Sequence, residues 1–118
     1  GADICWPLAF EQILADSTQW DHSSFGDGFF DSVLIDGGHT PDVVASDTAA
    51  AIRLLRPGGL CLWHDFCPAP AAMAAMPATR GVVRALVDHF ADWAPMFAKA
   101  FWIRRTFLLA GVRSEEKP

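Results

Sequence analysis

The sequence predicts an α/β fold with parallel strands, and three observations support this prediction. Phe30–Ile35 has a continuous apolar centre, as expected of a strand that is buried on both faces of a parallel sheet. A helical pattern begins at Thr40, and a second short apolar strand follows at residues 59–63. A strand, a helix and a strand with short connections place the two strands side by side in the same direction.

Composition and charge limit the class of protein. With 118 residues, the chain is expected to form a single domain spanning residues 1–118. The hydrophobic fraction is 52%, which indicates a globular protein, and the net charge is −5. The nine Lys and Arg residues are scattered, apart from the pair Arg104-Arg105. A nucleic-acid partner requires a clustered basic face, so none is expected.

The cysteines and the apolar runs indicate the compartment. Cys5, Cys61 and Cys67 show no CxxC spacing, and their odd number argues against a disulfide framework. Free thiols in a reducing cytosol are the expected state. No apolar run approaches the roughly 18 residues of a membrane span, and the N-terminus lacks a signal-peptide pattern. We therefore expect a cytoplasmic protein without a membrane partner.

The central helix has a clear beginning and end in the sequence. Thr40 is a suitable N-cap, Pro41 suits the first helical position, and Asp42 places an acid in the first turn. The end is predicted at residues 56–59, where Arg is followed by Pro-Gly-Gly. The apolar face comprises Val43, Val44, Ala50, Ala51, Leu54 and Leu55.

The flanking segments are less distinctive. Residues 11–15 form a weaker strand candidate that stops at Asp16-Ser17. Residues 67–77, rich in Pro, Ala and Met, form either a surface connection or a mobile cover. Residues 81–90 have a helical apolar face of Val82, Val83, Leu86, Val87 and Phe90. Residues 100–112 form one long strand or a hairpin, and residues 114–118 a terminal tail.

Polar residues follow the predicted strands at their carboxyl ends. Asp36 and His39 come after the first strand of the central unit, and His64 and Asp65 after the second. Ligands of open α/β sheets bind at this edge. The repetition therefore favours a functional site over a chance turn.

Three motifs together resemble a known family. FDSVLIDGGHT, LLRPGGLCLWHDF and RGVVRALVDHF resemble the C-terminal half of a class I S-adenosylmethionine-dependent methyltransferase, in particular the metal-assisted O-methyltransferases of macrocin and cephalosporin-pathway type. The resemblance covers residues 12–90. It implies a partial Rossmann-like methyltransferase sheet. In that sheet ILADS is the third strand, FDSVLIDGGH the fourth and GGLCLWHDF the fifth, and the last apolar block forms the antiparallel sixth and seventh strands.

The resemblance also implies a cofactor, a partner and site residues. The expected methyl donor is S-adenosylmethionine, and the acceptor is a small molecule with a hydroxyl group. Asp16 and Ser17 match the acid and small residue that meet the adenine in the family. Asp36 and Asp65 match the metal carboxylates, which suit Mg²⁺ or a similar divalent cation.

Two histidines complete the implied site. His39 matches the general base of the family, and an imidazole is suited to accept a proton near neutral pH. His64 stands where many relatives have a carboxylate or another polar group. It could complete the metal shell, although imidazole suits transition metals better than Mg²⁺.

One departure from the family is large. No GxGxG motif occurs in the sequence, few residues precede ILADS, and no acid for the ribose hydroxyls is evident. The sequence thus corresponds to a methyltransferase without its N-terminal glycine-loop half, and this chain alone is expected to be inactive. A fragment, a half supplied by another chain and an abandoned cofactor site all remain open explanations.

Simpler structural roles stay open for several residues. Asp36-Gly-Gly can be a strand-ending turn, with Asp36 capping backbone amides. His39 can be a packing residue before the helix, and His64 can be structural. Asp47 falls on the apolar face of the helix, so we expect it to be hydrogen-bonded rather than catalytic.

Two functions from different classes follow. The first is an O-methyltransferase portion that acts through Asp36, His39 and Asp65. The second is a non-catalytic oligomerisation or metal-binding module derived from a methyltransferase. A metal-dependent hydrolase is less favoured, because no bridging ligands for two metals are evident. The bare edge beside the strand Asp31–Asp36 predicts a symmetric homodimer, with this strand or the helix Pro41–Leu55 at or near the contact.

Overall fold

The computed structural model describes residues 13–115. The elements are β1 (Phe30–Ile35), α1 (Pro41–Leu54), β2 (Leu55–His64), α2 (Pro70–Ala75), α3 (Pro77–Asp88), α4 (Phe90–Trp93), a 3-10 turn (Ala94–Met96), β3 (Phe97–Trp102) and β4 (Leu108–Arg113). The four strands form one sheet in the order β1-β2-β4-β3. β1 and β2 are parallel, and β4 is antiparallel to both of its neighbours. The predicted α/β fold with part of a Rossmann-like sheet is confirmed.

The central strand–helix–strand unit begins as predicted. β1 spans the predicted residues, and α1 begins at Pro41 with Asp42 in its first turn. Thr40 occupies the N-cap position with extended backbone, but its side chain forms no capping hydrogen bond. The start of α1 therefore depends on proline geometry and on the acid near the helix N-terminus.

The junction between α1 and β2 differs from the prediction. α1 ends at Leu54 and β2 begins at Leu55, so residues 56–59 lie within a strand instead of following the helix as a break. The pairing with β1 is irregular at this point. Gly58 has a φ of 77°, which glycine adopts at little cost. The Pro-Gly-Gly run is tolerated in the strand because it forms this irregular stretch.

The core lies between one face of the sheet and the helices α1, α3 and α4. Trp63 of β2 is fully buried, with its ring centroid 5.5 Å from that of Trp93 and 5.4 Å from that of Phe97. Its Nε1 donates to the Thr48 hydroxyl at 3.0 Å, and that hydroxyl donates to the Val44 carbonyl at 2.7 Å. Trp63 thus links β2 to α1, and the Trp63 indole nitrogen and the Thr48 hydroxyl both have hydrogen-bond partners.

The other face of the sheet is partly exposed, mainly along β1 and at Leu60 of β2. Leu34 of β1 is 57% exposed and Leu60 of β2 is 37% exposed. Of the six β1 residues only Ile35 is buried, so the prediction that β1 is buried on both faces is wrong. The reason is that β1 is an edge strand of the sheet formed by residues 13–115, and Leu34 points away from the helices that cover the core.

The segment before β1 was predicted to contain a strand at residues 11–15. Glu11 and Gln12 lie outside the described residues, and Ile13, Leu14 and Ala15 are exposed and not in a strand. For these three residues the prediction is wrong. A strand requires a paired neighbour, and the described part of the chain places none on the outer edge of β1.

Arg53 instead attaches this segment to the last turn of α1. Its guanidinium donates to the His22 carbonyl at 2.6 Å, to the Phe25 carbonyl at 3.1 Å and to an Asp27 carboxylate oxygen at 2.8 Å. These hydrogen bonds hold residues 22–27, which lead into β1, against the end of α1. This use of Arg53 was not predicted.

The Pro/Ala/Met-rich segment, predicted as a connection or a cover, contains the helix α2. Arg80 of α3 donates to the carbonyls of Met73 and Ala74 at 3.0 Å each, near the end of α2. The helix predicted at residues 81–90 is α3, which begins four residues earlier, at Pro77, and ends at Asp88.

The apolar face of α3 is only partly as predicted. Val82, Val83 and Leu86 are buried, but Val87 is 64% exposed and Phe90 is 60% exposed. The chain leaves α3 at His89 and begins α4 at Phe90. The change of direction removes Phe90 from the α3 face.

The C-terminal block forms the hairpin of β3 and β4, one of the two predicted alternatives. The turn contains Arg105, whose φ is 66°, and the Trp102 indole donates to the Thr106 carbonyl at 2.8 Å. The Ser114 amide donates to the Met96 carbonyl at 2.9 Å. Residues 116–118 of the predicted tail lie outside the described residues.

Two predictions concern thiols and membranes. Cys61 and Cys67 are free and buried, and Cys5 lies outside the described residues. Burial raises the pKa of the Cys61 thiol to about 12, so this thiol is protonated at neutral pH. Among residues 13–115, no helix has the length and apolarity needed to cross a membrane.

Candidate functional site

Three potential metal ligands meet at the carboxyl ends of β1 and β2. Ile35 pairs with Trp63, so the residues that follow them, Asp36 and His64, are brought side by side. His64 Nδ1 lies 3.1 Å from Asp36 Oδ1 and 3.2 Å from Asp65 Oδ2. One donor atom from each of the three residues lies within 4.8 Å of the other two. The parallel pairing of β1 and β2 therefore produces the cluster directly.

The His64 nitrogen in this cluster has no hydrogen-bond partner. Nδ1 is shielded from solvent, and the two carboxylate oxygens are close but do not meet the angular requirements of a hydrogen bond. Such an orphaned nitrogen is unusual in a native structure. A cation bound by the three residues would give this atom a partner.

His39 joins the cluster through Asp65. Its Nε2 lies 2.6 Å from Asp65 Oδ2. The His39 side chain is 43% exposed, whereas the Asp65 side chain is 20% exposed. The imidazole is thus anchored at one nitrogen and remains accessible to a ligand.

The backbone of Asp65 is in an uncommon conformation. Its φ is 62°, in the left-handed region that non-glycine residues seldom occupy, although Asp tolerates it better than most. The next residue, Phe66, donates its amide to the Phe107 carbonyl at 3.0 Å, which attaches the turn to the β3–β4 hairpin. A strained residue that neighbouring structure holds in place is characteristic of functional sites.

The electrostatic environment keeps Asp65 ionised. Burial raises the pKa of this carboxyl, but the contacts with His64 and His39 and their charges outweigh burial and lower the pKa overall. Asp65 is therefore a carboxylate at neutral pH. In this form it can accept a hydrogen bond or bind a cation.

Gly81 of α3 lies against the backbone of His39. A Cβ atom at this position would be 1.8 Å from the His39 carbonyl oxygen, a separation that the backbone cannot accommodate. The helix can approach the loop after β1 only because the residue is glycine. The close packing of Gly81 against the His39 backbone was not predicted, although a glycine within a helical pattern is a recognisable sign of close packing.

An open groove runs along β1 beside the cluster. Its volume is about 370 Å³, and Ser17, Trp20, Asp36 and Gly37 are among the lining residues. Asp16 is exposed and accepts hydrogen bonds from the Thr18 amide and hydroxyl, which lower its pKa. Ser17, the residue after Asp16, lies in the same groove as Asp36.

Asp47 of α1 also lines this groove. It is half-buried, and among residues 13–115 it has no hydrogen-bond partner. The hydrogen bond predicted for Asp47 is not found within residues 13–115. The groove is open, so water can solvate the carboxylate without a protein partner.

A family model described as a methyltransferase domain matches residues 7–66, which is 60 of the 118 residues. The chain belongs to this methyltransferase family. No curated protein matches the chain. The matched part of the methyltransferase domain contains β1, α1 and β2 and ends one residue after Asp65. All four clustered side chains therefore lie within it.

The methyltransferase domain brings together most of the residues singled out in the sequence. His39, Asp36, His64 and Asp65 form one cluster. The direct contact between His39 and Asp65 was not predicted, because it joins residues 26 positions apart through a loop conformation that carries no sequence pattern.

Proposed function

We propose that this chain provides the metal- and acceptor-binding part of an S-adenosylmethionine-dependent O-methyltransferase of macrocin and cephalosporin-pathway type. The observation that carries the proposal is the convergence of Asp36, His64 and Asp65 with His39, in a chain that belongs to a methyltransferase family. Three potential ligands and one accessible base at the carboxyl ends of parallel strands are suited to activating a hydroxyl group.

The residues present fit a divalent cation. The orphaned His64 Nδ1 faces two carboxylates, and the carboxylates of Asp36 and Asp65 offer oxygen ligands. Asp36, His64 and Asp65 would hold the ion. When bound, it would lower the pKa of an acceptor hydroxyl and orient its oxygen.

His39 serves as the general base. Asp65 is a carboxylate that faces Nε2, so in a neutral His39 ring the proton is on Nε2 and Nδ1 is the nitrogen that can accept a proton. S-adenosylmethionine, when bound, would supply the methyl group to the acceptor oxygen and would leave as the neutral thioether. The hydroxyl proton moves to His39 Nδ1, and Asp65 stabilises the resulting imidazolium.

The groove along β1 is the proposed place of the cofactor's adenine. Ser17 and Asp36 line this groove together, which supports the assignment of Ser17 to adenine binding near the proposed metal ligand Asp36; Asp16 is not among the lining residues. The cofactor and the metal would then be neighbours. In-line attack on the methyl group requires this proximity.

A non-catalytic assembly module is the second candidate function. The exposed Leu34 and Leu60 on the open face of the sheet favour it, because large apolar side chains on one face indicate a surface that a partner covers. In this case the acidic cluster binds a metal without turnover, or is idle.

Binding of an acceptor analogue distinguishes the two functions. A catechol, whose adjacent hydroxyls can chelate a metal, is titrated into the chain with and without Mn²⁺. We expect binding only with Mn²⁺, and loss of binding in Asp36→Ala, whereas Asp42→Ala, an exposed acid on α1, retains it. Catechol binding that needs neither Mn²⁺ nor Asp36, or no binding at all, argues against the O-methyltransferase proposal.

A further inference from the structure

We propose that His64 makes the metal site selective for a later first-row dication such as Co²⁺ or Zn²⁺ over Mg²⁺. This inference rests on the metal site of the proposed function and specifies which ion it takes. An imidazole nitrogen is a favourable ligand for the later first-row dications such as Co²⁺ and Zn²⁺. Mg²⁺ prefers oxygen ligands and retained water.

The separations of the donor atoms suit a small dication. His64 Nδ1 is 3.1 Å from Asp36 Oδ1 and 3.2 Å from Asp65 Oδ2. Adjacent ligands of one octahedral ion with bonds of about 2.1–2.2 Å are roughly 3 Å apart. The side chains therefore need little rearrangement to share one ion.

The state of the His64 nitrogen also favours a metal. Nδ1 is shielded from solvent and lacks a hydrogen bond, although carboxylate oxygens lie on two sides. A shielded ring nitrogen that lies between two carboxylates without a hydrogen bond is a position that a bound cation would complete.

The role of Asp65 is compatible with this assignment. Its Oδ2 is 2.6 Å from His39 Nε2 and 3.2 Å from His64 Nδ1. A carboxylate has about four lone-pair positions, so it can accept from His39 and bind an ion at the same time. Metal binding therefore need not release His39.

Calorimetric titration of the chelator-treated chain with CoCl₂ and MgCl₂ tests the selectivity. Transition metals bind many sites more tightly than Mg²⁺ does, so the change between variants is decisive. We expect the wild-type chain to prefer Co²⁺ over Mg²⁺ at least tenfold. His64→Asp, which provides an oxygen ligand, should lower this preference at least tenfold.

His89→Asp is the matched control. His89 is exposed at the junction of α3 and α4, and the same substitution there should leave the preference unchanged. Visible absorption of bound Co²⁺ provides a second measurement, because replacing nitrogen by oxygen changes the band position and intensity. Far-UV circular dichroism confirms that each variant is folded.

The outcomes separate this inference from the proposed function. If the wild-type chain binds Mg²⁺ as tightly as Co²⁺, or if His64→Asp leaves the ratio and the Co²⁺ spectrum unchanged, the selectivity inference is wrong while the metal site stands. If no dication binds the wild-type chain, the metal part of the proposed function fails and the selectivity fails with it.

Discussion

His39 Nε2 lies 2.6 Å from Asp65 Oδ2 and connects the loop after β1 to the turn after β2. The two residues come from separate strand ends, and each is held by another element. Gly81 of α3 lies against the His39 carbonyl, and the Phe66 amide beside Asp65 is bonded to the Phe107 carbonyl. The contact is thus held by packing on both sides, as the general-base role proposed for His39 requires.

The packing at His39 predicts an unusual result for Gly81→Ala. A helical Gly→Ala change ordinarily stabilises by about 1 kcal/mol. Here the added Cβ would be 1.8 Å from the His39 carbonyl oxygen, so we expect a loss of about 1–3 kcal/mol. Urea denaturation measures the change. Arg84→Ala, at an exposed position of α3, is the control and should be nearly neutral. A stabilised Gly81→Ala variant would show that α3 does not restrain the His39 loop.

The hydrogen bond between Trp63 and Thr48 predicts a difference between two conservative changes. Thr48→Val leaves the buried Trp63 indole N–H without an acceptor, and we expect it to cost about 1–3 kcal/mol. Thr48→Ser keeps the hydroxyl and loses only a methyl group, so it should cost less. Thermal unfolding of both variants checks the order. Equal losses would mean that packing of the methyl group, rather than the hydrogen bond, dominates at this position.

The missing glycine motif predicts weak cofactor binding by this chain. No GxGxG occurs in its 118 residues, and close approach of glycine-rich backbone to the cofactor is the main binding device of related sheets. We expect calorimetric titration with S-adenosylmethionine to give no binding at micromolar concentration. Micromolar affinity would contradict this prediction and would show that the β1 groove is sufficient by itself.

The exposed face of the sheet predicts self-association. Leu34 is 57% exposed beside the free edge of β1, and we propose that a second copy of the chain covers this surface in a symmetric dimer. Sedimentation equilibrium should show a dimer that Leu34→Lys weakens at least tenfold. Val87→Lys is the control, because Val87 is 64% exposed on α3 and lies away from β1. A monomer at micromolar concentration, or equal effects of both substitutions, is inconsistent with the dimer.

Local patterns in the sequence predict the central unit well. The apolar run of β1 and the Thr-Pro-Asp start of α1 depend on neighbouring residues only, and both lie where predicted. The parallel pairing of β1 and β2 then follows from the short connections and brings Asp36 and His64 together.

Features that depend on distant contacts were not predictable in this way. Residues 56–59 contain strong helix and strand breakers, yet they form part of β2 because they lie beside β1. Ile13–Ala15 have strand-like composition but no strand neighbour in the described part of the chain. The exposure of Leu34 depends on which elements cover the sheet, and a local apolar run carries no information about this.

The central claim is that Asp36, His64 and Asp65 hold a divalent cation beside His39. Paramagnetic broadening by Mn²⁺ tests it most directly, since the ion broadens the NMR signals of nearby nuclei. In a ¹⁵N-labelled sample, substoichiometric Mn²⁺ should broaden the amide signals of residues 36–39 and 64–66 first, and Asp36→Asn combined with Asp65→Asn should abolish the effect. Broadening that is spread over the exposed acids, or that persists at these residues in the double variant, would contradict the account.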